Sequence, residues 1–345
     1  MTKVVNIGAI ACGGENPVSI QSMTNTDTTD AQATLAQCLR LQNAGCEIVR
    51  VSVYNAACVP TISVLKEHLD IPVVADIHFD ADLAVASVEA GVDKLRINPG
   101  NIGGEDKVRY LADCLKAHRI PVRIGVNAGS LQKDLLAQYG ATAQAMVQSA
   151  LVHAKMLEDC GFYDIVISLK ASDVLRTVES FRIISKIVDY PLHVGVTEAG
   201  LPEDGIIKNA IGIGSLLLDG IGSTLRVSLT GDPIEEVKAG QTILRSLGLR
   251  RDHVDIIACP TCGRCQYNLE EVAQKVRAAT RHIKKPLKVA IMGCVVNGPG
   301  EATEADIGIA GGKESGVLFK QGKRVRTVSA ADMVQTLLDE INLMI

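Results

Sequence analysis

The sequence predicts an α/β protein, a (β/α)8 barrel of the TIM type followed by a small α+β domain. Eight short apolar segments rich in Val and Ile alternate with helical segments over about 230 residues, a usual length for this barrel. Each strand is a near-continuous apolar run, which is typical of parallel strands buried on both faces. The G-x-G-x-x-G that usually follows the first strand of an open doubly wound sheet is absent, so a closed barrel is favoured.

Glycines punctuate this alternation. Gly45, Gly91 and Gly161 directly follow helical patterns and are natural helix ends. The eight predicted strands are 18–23, 47–53, 73–77, 94–98, 121–127, 164–170, 192–197 and 224–229. The predicted helices are 29–44, 59–69, 81–90, 105–118, 142–159, 173–188, a Gly-rich stretch after 197, and 232–247.

The pattern changes after Leu249. Predicted strands 254–258, 287–291, 307–310, 317–320 and 325–328 are combined with only two helices, 269–282 and 330–342. We therefore expect two domains, a barrel at 1–249 and a compact α+β domain at 250–345, joined by a hinge near 248–251.

Composition excludes several classes of protein. The net charge is −4, tryptophan is absent and aromatic residues make up 3%, so neither basic runs nor stacking platforms indicate a nucleic-acid partner. Apolar runs fall short of a membrane span, which predicts no membrane partner. The chain has ten cysteines, a large apolar fraction and no secretory signal, so we expect a reduced, cytoplasmic protein. Six cysteines are expected in the core or in helices: Cys12, Cys38, Cys46, Cys58, Cys114 and Cys160.

Polar residues collect where the predicted strands end, the edge at which such barrels carry their active sites. Four arginines and a lysine entering one ring would repel each other unless an anion lay among them, and guanidinium groups suit phosphate oxygens. We therefore expect a phosphorylated small molecule. His78, two residues after Asp76, is expected to orient it, and His193 to be structural. The candidate ligands are Arg50, Asp76, His78, Arg96, Asn98, Arg123, Asn127, Ser168, Lys170, Thr197, Glu198, Arg226 and Ser228, with Gln21, Ser22 and Asn25 after the first strand.

The cysteines of the second domain indicate a metal. Cys259, Cys262 and Cys265 repeat the C-x2-C-x2-C of bacterial ferredoxin loops, and Cys294 follows after a helix. Glycines and prolines build turns around them, which is unlike a set of buried thiols. Thiolates are soft ligands, so the spacing favours an iron–sulfur cluster and leaves a structural zinc site open.

The segment 290–301, AIMGCVVNGPGE, resembles the signature of the IspG (GcpE) family, 4-hydroxy-3-methylbut-2-en-1-yl diphosphate synthase of the non-mevalonate isoprenoid pathway. The resemblance extends over nearly the whole chain. The other matching segments are 17–26, 74–79, 94–101, 123–130, 166–172, 193–200 and 226–229.

The resemblance implies reductive ring opening of 2-C-methyl-D-erythritol 2,4-cyclodiphosphate to 4-hydroxy-3-methylbut-2-enyl diphosphate. It assigns Cys259, Cys262, Cys294 and the carboxylate of Glu301 as ligands of a [4Fe-4S] cluster. Cys265 departs from the family pattern. An exchangeable Glu301 would let the substrate reach one iron, and Glu198 is our candidate for protonating the leaving oxygen.

The resemblance also implies partners. In the family a partner subunit's cluster domain caps the barrel mouth, so we expect a homodimer with shared sites. Electrons would come from ferredoxin or flavodoxin, because the chain shows no flavin or nicotinamide motif. Two other functions remain open on the residues alone: a barrel lyase or aldolase acting on a sugar phosphate with a structural zinc, and an iron–sulfur carrier or redox sensor.

Overall fold

The computed structural model describes residues 1–78, 80–294, 300 and 302–345. The chain forms two compact units, Met1–Leu249 and Arg250–Ile345. Within the described ranges, no helix is both long and apolar enough to cross a bilayer.

The first unit is a parallel barrel, as predicted. Its eight strands are β3 (Ser19–Met23), β4 (Ile48–Ser52), β5 (Val73–Asp76), β6 (Lys94–Ile97), β7 (Val122–Asn127), β8 (Ile165–Lys170), β9 (His193–Val194) and β10 (Thr224–Leu225). Their spatial order is β8-β7-β6-β5-β4-β3-β10-β9, and each pairs in parallel with its neighbours. A parallel bridge between Ile167 and Leu192 joins β8 to the start of β9 and closes the ring.

Helices surround the barrel. They are α1 (Ala31–Asn43), α2 (Val59–His68), α3 (Ala81–Glu89), α4 (Pro99–Ile102), α5 (Glu105–His118), α6 (Lys133–Tyr139), α7 (Ala143–Glu158), α8 (Val174–Ile184), α9 (Pro202–Leu218) and α10 (Pro233–Ser246). Aspartate side chains accept from backbone N–H groups at the first turns of α1, α3, α8 and α10, which offsets the unpaired donors there.

Two predictions about the barrel elements need correction. The seventh and eighth strands, β9 and β10, have two residues each instead of the six predicted. Strand β9 ends before Gly195, because a glycine in a strand offers no side chain to pack. Helix α6 was missed because Leu135 is its only buried residue, which leaves no apolar periodicity to detect.

A short antiparallel hairpin, β1 (Val5–Ile7) and β2 (Ile10–Cys12), precedes the first barrel strand. Its side chains form an apolar cluster with residues from the lower ends of three barrel strands, which closes the N-terminal end of the barrel. The buried members are Val5, Ile7, Cys12, Ile48, Val74 and Val166.

The second unit is built on one mixed five-stranded sheet. Its strands, in spatial as well as chain order, are β11 (Val254–Ala258), β12 (Leu287–Met292), β13 (Ile307–Gly311), β14 (Ser315–Lys320) and β15 (Lys323–Ser329). The first three are parallel and the last two antiparallel. Helices α11 (Leu269–Thr280) and α12 (Met333–Asn342) bury their apolar faces in the core of this unit.

Candidate functional site

The inside and the outside of the barrel wall differ in polarity because successive side chains of a strand point to opposite faces. On β4, Val49 and Val51 belong to the large apolar core beneath the helices, whereas Ile48 and Arg50 occupy the alternate positions. Above the apolar floor, the inward positions are polar or charged on most strands. Polar groups therefore concentrate inside the barrel, towards the C-terminal ends of its strands.

Asp76 organises one side of this interior. Its Oδ1 accepts a hydrogen bond of 3.0 Å from Arg96 Nη1 and lies 3.4 Å from His78 Nε2, and its Oδ2 lies 3.7 Å from Arg50 Nε. Burial alone would raise the pKa of Asp76, but Arg50, His78 and Arg96 outweigh it and lower that pKa. The ionised carboxylate thus orients two arginines and the predicted histidine.

Glu236 organises a second group of polar side chains. This residue of α10 is buried and accepts two hydrogen bonds from Arg226, one from Nε at 3.1 Å and one from Nη2 at 3.0 Å. The hydroxyl of Ser22 donates to the same carboxylate at 2.9 Å. Ser22 is therefore a support for the arginine, although its position after the first strand predicted a place at the mouth.

Three bases lie deeper. Lys94, Arg123 and His193 are fully buried, and His193 Nδ1 lies 2.8 Å from Thr224 Oγ1, which fits its predicted structural role. Burial, followed by the repulsion of Arg123, lowers the pKa of Lys94 to about 7. Burial and then the neighbouring arginines also lower the pKa of Lys170 and of Arg123.

These groups leave donors unsatisfied. The buried nitrogens without a hydrogen-bond partner in the described barrel interior include Lys94 Nζ, Arg96 Nε, Arg123 Nε and Nη2, and His193 Nε2. Six basic side chains (Arg50, Lys94, Arg96, Arg123, Lys170 and Arg226) act on one another electrostatically, against two carboxylates, Asp76 and Glu236. Unpaired buried donors and an excess of positive charge together favour binding of a polyanion.

Two glycines make room for this cluster. A Cβ on Gly125 would lie 2.3 Å from Arg96 Nε, and one on Gly195 would lie 2.9 Å from Lys170 Nζ and 2.3 Å from the carbonyl oxygen of Arg226. Side chains at these positions would displace the basic groups, so both glycines are part of the pocket wall.

The remaining predicted barrel residues differ in exposure. Asn98 and Ser168 are buried, Asn127, Thr197 and Ser228 are half-buried, and Glu198 is exposed. Glu198 has φ of +52°, in the left-handed region, a strained conformation that is concentrated at functional sites. Asn25 is engaged elsewhere, donating to the carbonyl of Gly231 at 3.2 Å.

In the second unit, two cysteine loops follow neighbouring strands. Cys259 comes directly after β11 and Gly293-Cys294 directly after β12, and Ala258 is level with Ile291 across the pair. The N–H of Gly293 donates to Cys259 Sγ at 3.2 Å. A Cβ on Gly293 would lie 2.9 Å from Cys265 Sγ and 3.3 Å from Cys259 Sγ, so two sulfur atoms converge on the backbone beside Cys294.

Comparison with known proteins agrees with this two-part architecture. Residues 2–241 match the GcpE TIM-barrel domain, and residues 255–343 match the GcpE protein C-terminal domain. The chain belongs to the GcpE family.

Curated GcpE relatives match along the full chain. Three of them are proteins named 4-hydroxy-3-methylbut-2-en-1-yl diphosphate synthase (flavodoxin). The protein from Caldanaerobacter subterraneus subsp. tengcongensis is 54% identical, with 100% of this chain and 98% of the relative covered. Those from Ruminiclostridium cellulolyticum and Geobacter sulfurreducens are 52% and 53% identical, each with 99% of this chain and 97% of the relative covered.

Solved structures resemble the fold of this GcpE barrel. Dihydropteroate synthase from Stenotrophomonas maltophilia is 15% identical with a TM-score of 0.52, covering 72% of this chain and 98% of that one. Dihydropteroate synthase from Yersinia pestis is 11% identical with a TM-score of 0.51, covering 71% of this chain and 100% of that one. At such low identity this likeness concerns the fold alone.

Membership of the GcpE family implies a [4Fe-4S] cluster, and thiolates suit one by their chemistry. Among the residues that the structure describes, however, no three His, Cys, Asp or Glu side chains are grouped closely enough to hold a metal ion. Cys259, Cys262 and Cys294 lie in loops, although Cys259 also packs against the apolar core of this unit. Hydrogen bonds from Arg264 lower the pKa of Cys262, which favours the ligating thiolate. Glu301, the predicted fourth ligand, lies outside the described residues. Cys265 is half-buried next to Cys259, whereas Cys262 is exposed.

Two polar residues of the barrel cluster were missed in the sequence. Lys94 is the first residue of the predicted strand 94–98 and was not among the predicted ligands. It lies two positions before Arg96 and shares its face, which is the signal that could have identified it. Glu236 follows Glu235 in an ordinary acidic first helical turn, and nothing in the sequence separates the buried carboxylate from the exposed one.

Proposed function

We propose that this protein catalyses the reductive ring opening of 2-C-methyl-D-erythritol 2,4-cyclodiphosphate to 4-hydroxy-3-methylbut-2-enyl diphosphate, as an iron–sulfur oxidoreductase of the non-mevalonate pathway. The observation that carries the proposal is the buried, under-neutralised group of basic residues inside the barrel of a GcpE family member. Two electrons enter, the ring C–O bond to phosphate breaks, and a substrate hydroxyl leaves as water after protonation.

The diphosphate would bind to Arg50, Arg96, Arg123, Lys170 and Arg226. Several of their N–H groups are buried without a partner, and bound phosphate oxygens would satisfy them. Asp76 and Glu236 each hold an arginine of the pocket in a fixed orientation, so little side-chain entropy is lost on binding. Asn98, Asn127, Ser168, Thr197 and Ser228 would contact the hydroxyl groups and the remaining phosphate oxygens.

We assign proton transfer to one residue of the barrel and orientation of the substrate to another. Glu198, exposed and held at a positive φ beside Thr197, would protonate the oxygen that leaves as water. His78 Nε2 lies 2.9 Å from Arg96 Nη1, the same nitrogen that donates to Asp76. The contact between His78 and Arg96 would fix the imidazole ring against the substrate.

Cys259, Cys262, Cys294 and Glu301 would hold the [4Fe-4S] cluster, which would supply single electrons and a Lewis-acidic iron. The donor set supports this arrangement, because a carboxylate is a harder and more exchangeable ligand than a fourth thiolate. Flavodoxin is the preferred electron donor, because the names of the relatives specify it.

We also propose a homodimer in which one subunit's cluster domain serves the partner's barrel. An apolar groove of about 600 Å³ runs between α8 and α9, and large apolar side chains around it face solvent, among them Leu175, Ile187, Ile207 and Ile211. A patch of this kind on a monomer is typical of a protein–protein interface.

The test is turnover under anaerobic conditions. Protein purified without oxygen is expected to be brown and to convert the cyclic diphosphate to the open-chain product with reduced flavodoxin. Electron paramagnetic resonance of the reduced cluster should change when the cyclic diphosphate is added. A colourless protein that contains zinc and cleaves a sugar phosphate would refute the proposal, and so would a cluster protein that binds no diphosphate in calorimetry.

A further inference from the structure

Lys94 is a fully buried base without an acidic partner. Its side chain is 0% exposed and its Nζ has no hydrogen-bond partner in the described structure. The titratable and charged groups that act on it from the surrounding elements are Cys12 of β2, Arg50 of β4, Arg123 of β7 and His193 of β9. No carboxylate stands among these groups, so an ammonium charge on Lys94 has no counter-ion within the part of the chain that the structure describes.

A buried charge in this position is costly. An unpaired ammonium in a low-dielectric interior loses its hydration without compensation, and the usual response of the group is to release its proton. Burial, with Arg123 as the next cause, brings the pKa of Lys94 to about 7. The free protein therefore holds a large fraction of neutral amine at and above neutral pH.

The lysine lies directly beneath the proposed diphosphate pocket. Lys94 and Arg96 share one face of β6, about 7 Å apart along the strand, and Arg96 is level with Arg123 on the neighbouring strand. An anion held by these two arginines would be the first negative charge close to Lys94. In a poorly screened interior, such a charge strongly favours the protonated form of a nearby base.

We infer that Lys94 takes up a proton from solvent when a diphosphate binds above it, so that the pocket gains a positive charge on binding. This inference rests on the proposed function. Lys94 is thereby a positioning residue: it acts on the bound anion through the layer of arginines and takes no part in the redox chemistry. Binding of the diphosphate is coupled to protonation, and affinity rises as pH falls from about 8 to about 6.

Isothermal titration calorimetry measures this coupling. The anaerobic holoprotein is titrated with the cyclic diphosphate in two buffers of different ionisation enthalpy, at about pH 8 and about pH 6. Each phosphorus of this ligand carries one strongly acidic oxygen, so the ligand itself gains no proton in this range. We expect close to one proton taken up per site at about pH 8, where free Lys94 is mostly neutral, and little uptake at about pH 6, where it is already charged.

Variants assign the proton to its acceptor. Lys94→Met keeps most of the length of the side chain and removes the amine. It should abolish the proton uptake and weaken binding about tenfold at pH 7. Lys238→Met, at an exposed position on α10, should leave the proton uptake and the affinity unchanged. Cys12→Ala should retain the proton uptake. Uptake that persists in Lys94→Met, or that disappears in His193→Asn alone, would overturn the inference.

If Lys94→Met does not fold, the inference is tested by the pH dependence of proton uptake in the wild-type protein. Measurable binding without proton uptake at about pH 8 would overturn the inference while leaving the proposed function intact. Absence of any binding heat from the wild-type protein would instead count against the proposed function.

Discussion

Two hydrogen bonds join Arg226 to Glu236, one from Nε at 3.1 Å and one from Nη2 at 3.0 Å. Arg226 follows the last barrel strand, and Glu236 lies in the next helix, α10. The carboxylate is buried and also receives the N–H of Leu229 at 3.1 Å. The pair therefore fixes a cationic group at the pocket and ties α10 to the barrel.

Glu236→Gln should destabilise the protein by about 2–3 kcal/mol, because it removes the charge from a buried pair and leaves Arg226 uncompensated. The free energy of unfolding in urea provides the measurement. Glu235→Gln is the matched control: its partner Lys238, at 2.7 Å, lies on the surface, and a loss of about 0.5 kcal/mol or less is expected. Equal losses of unfolding free energy in the two variants would show that the buried pair stabilises the protein no more than the surface pair does.

Gly125→Ala should weaken binding of the cyclic diphosphate at least about tenfold, because the new methyl group would occupy the place of the Arg96 guanidinium. Calorimetric titration tests this. Gly214→Ala, inside α9 with nothing within 4 Å of its Cβ position, should bind normally. Normal affinity in Gly125→Ala would mean that Arg96 binds no substrate in its present position.

Arg96→Ala should chiefly raise the Michaelis constant for the cyclic diphosphate, by about a hundredfold, because one charge-assisted contact is lost and Asp76 loses its 3.0 Å partner. Steady-state kinetics with reduced flavodoxin give the value. The exposed Arg109→Ala on α5 serves as control. An unchanged Michaelis constant would contradict the diphosphate assignment.

Glu301→Ala should retain a cluster, bind it less firmly and lose most turnover, because the exchangeable carboxylate ligand is gone. Iron and sulfide analysis, visible spectra and product formation measure the three effects. Unaltered activity would remove Glu301 from the ligand set.

Cys265→Ala is the matched cysteine variant and should keep its cluster content nearly intact. Because Cys265 Sγ lies next to Cys259, this variant tests directly whether Cys265 is a ligand. Loss of the cluster in Cys265→Ala would make this cysteine a ligand.

Acid should destabilise the barrel through His153 of α7. Burial lowers the pKa of this side chain from 6.5 to about 4, so the unfolded chain binds a proton that the folded protein refuses. Its contribution is complete above about pH 6.5 and shrinks as pH falls towards 4, by about 2 kcal/mol between pH 7 and pH 5.

His153→Gln should therefore lose less stability than the wild type over that interval, as measured by urea unfolding at each pH. His68→Gln, at an exposed position, is the control and should follow the wild type. If the free energy of unfolding fell with pH equally in the wild type and in His153→Gln, this role of the buried imidazole would be excluded.

The sequence by itself determined the alternation of eight strands with helices, the change of pattern after Leu249 and the cysteine spacing, because these are local patterns along the chain. It also placed Arg96, Arg123 and Arg226 towards one end of the barrel, since parallel strands bring their C-terminal ends to a common edge.

Only the tertiary structure decided which polar groups meet. Glu236 is separated from Ser22 by more than two hundred residues of chain and reaches it because the barrel closes; Lys94 became a buried base because the N-terminal hairpin covers the barrel floor. Likewise, the convergence of Cys259 and Cys265 on Gly293 depends on two loops that leave adjacent strands. Burial and pairing depend on contacts between distant segments, which a local pattern does not contain.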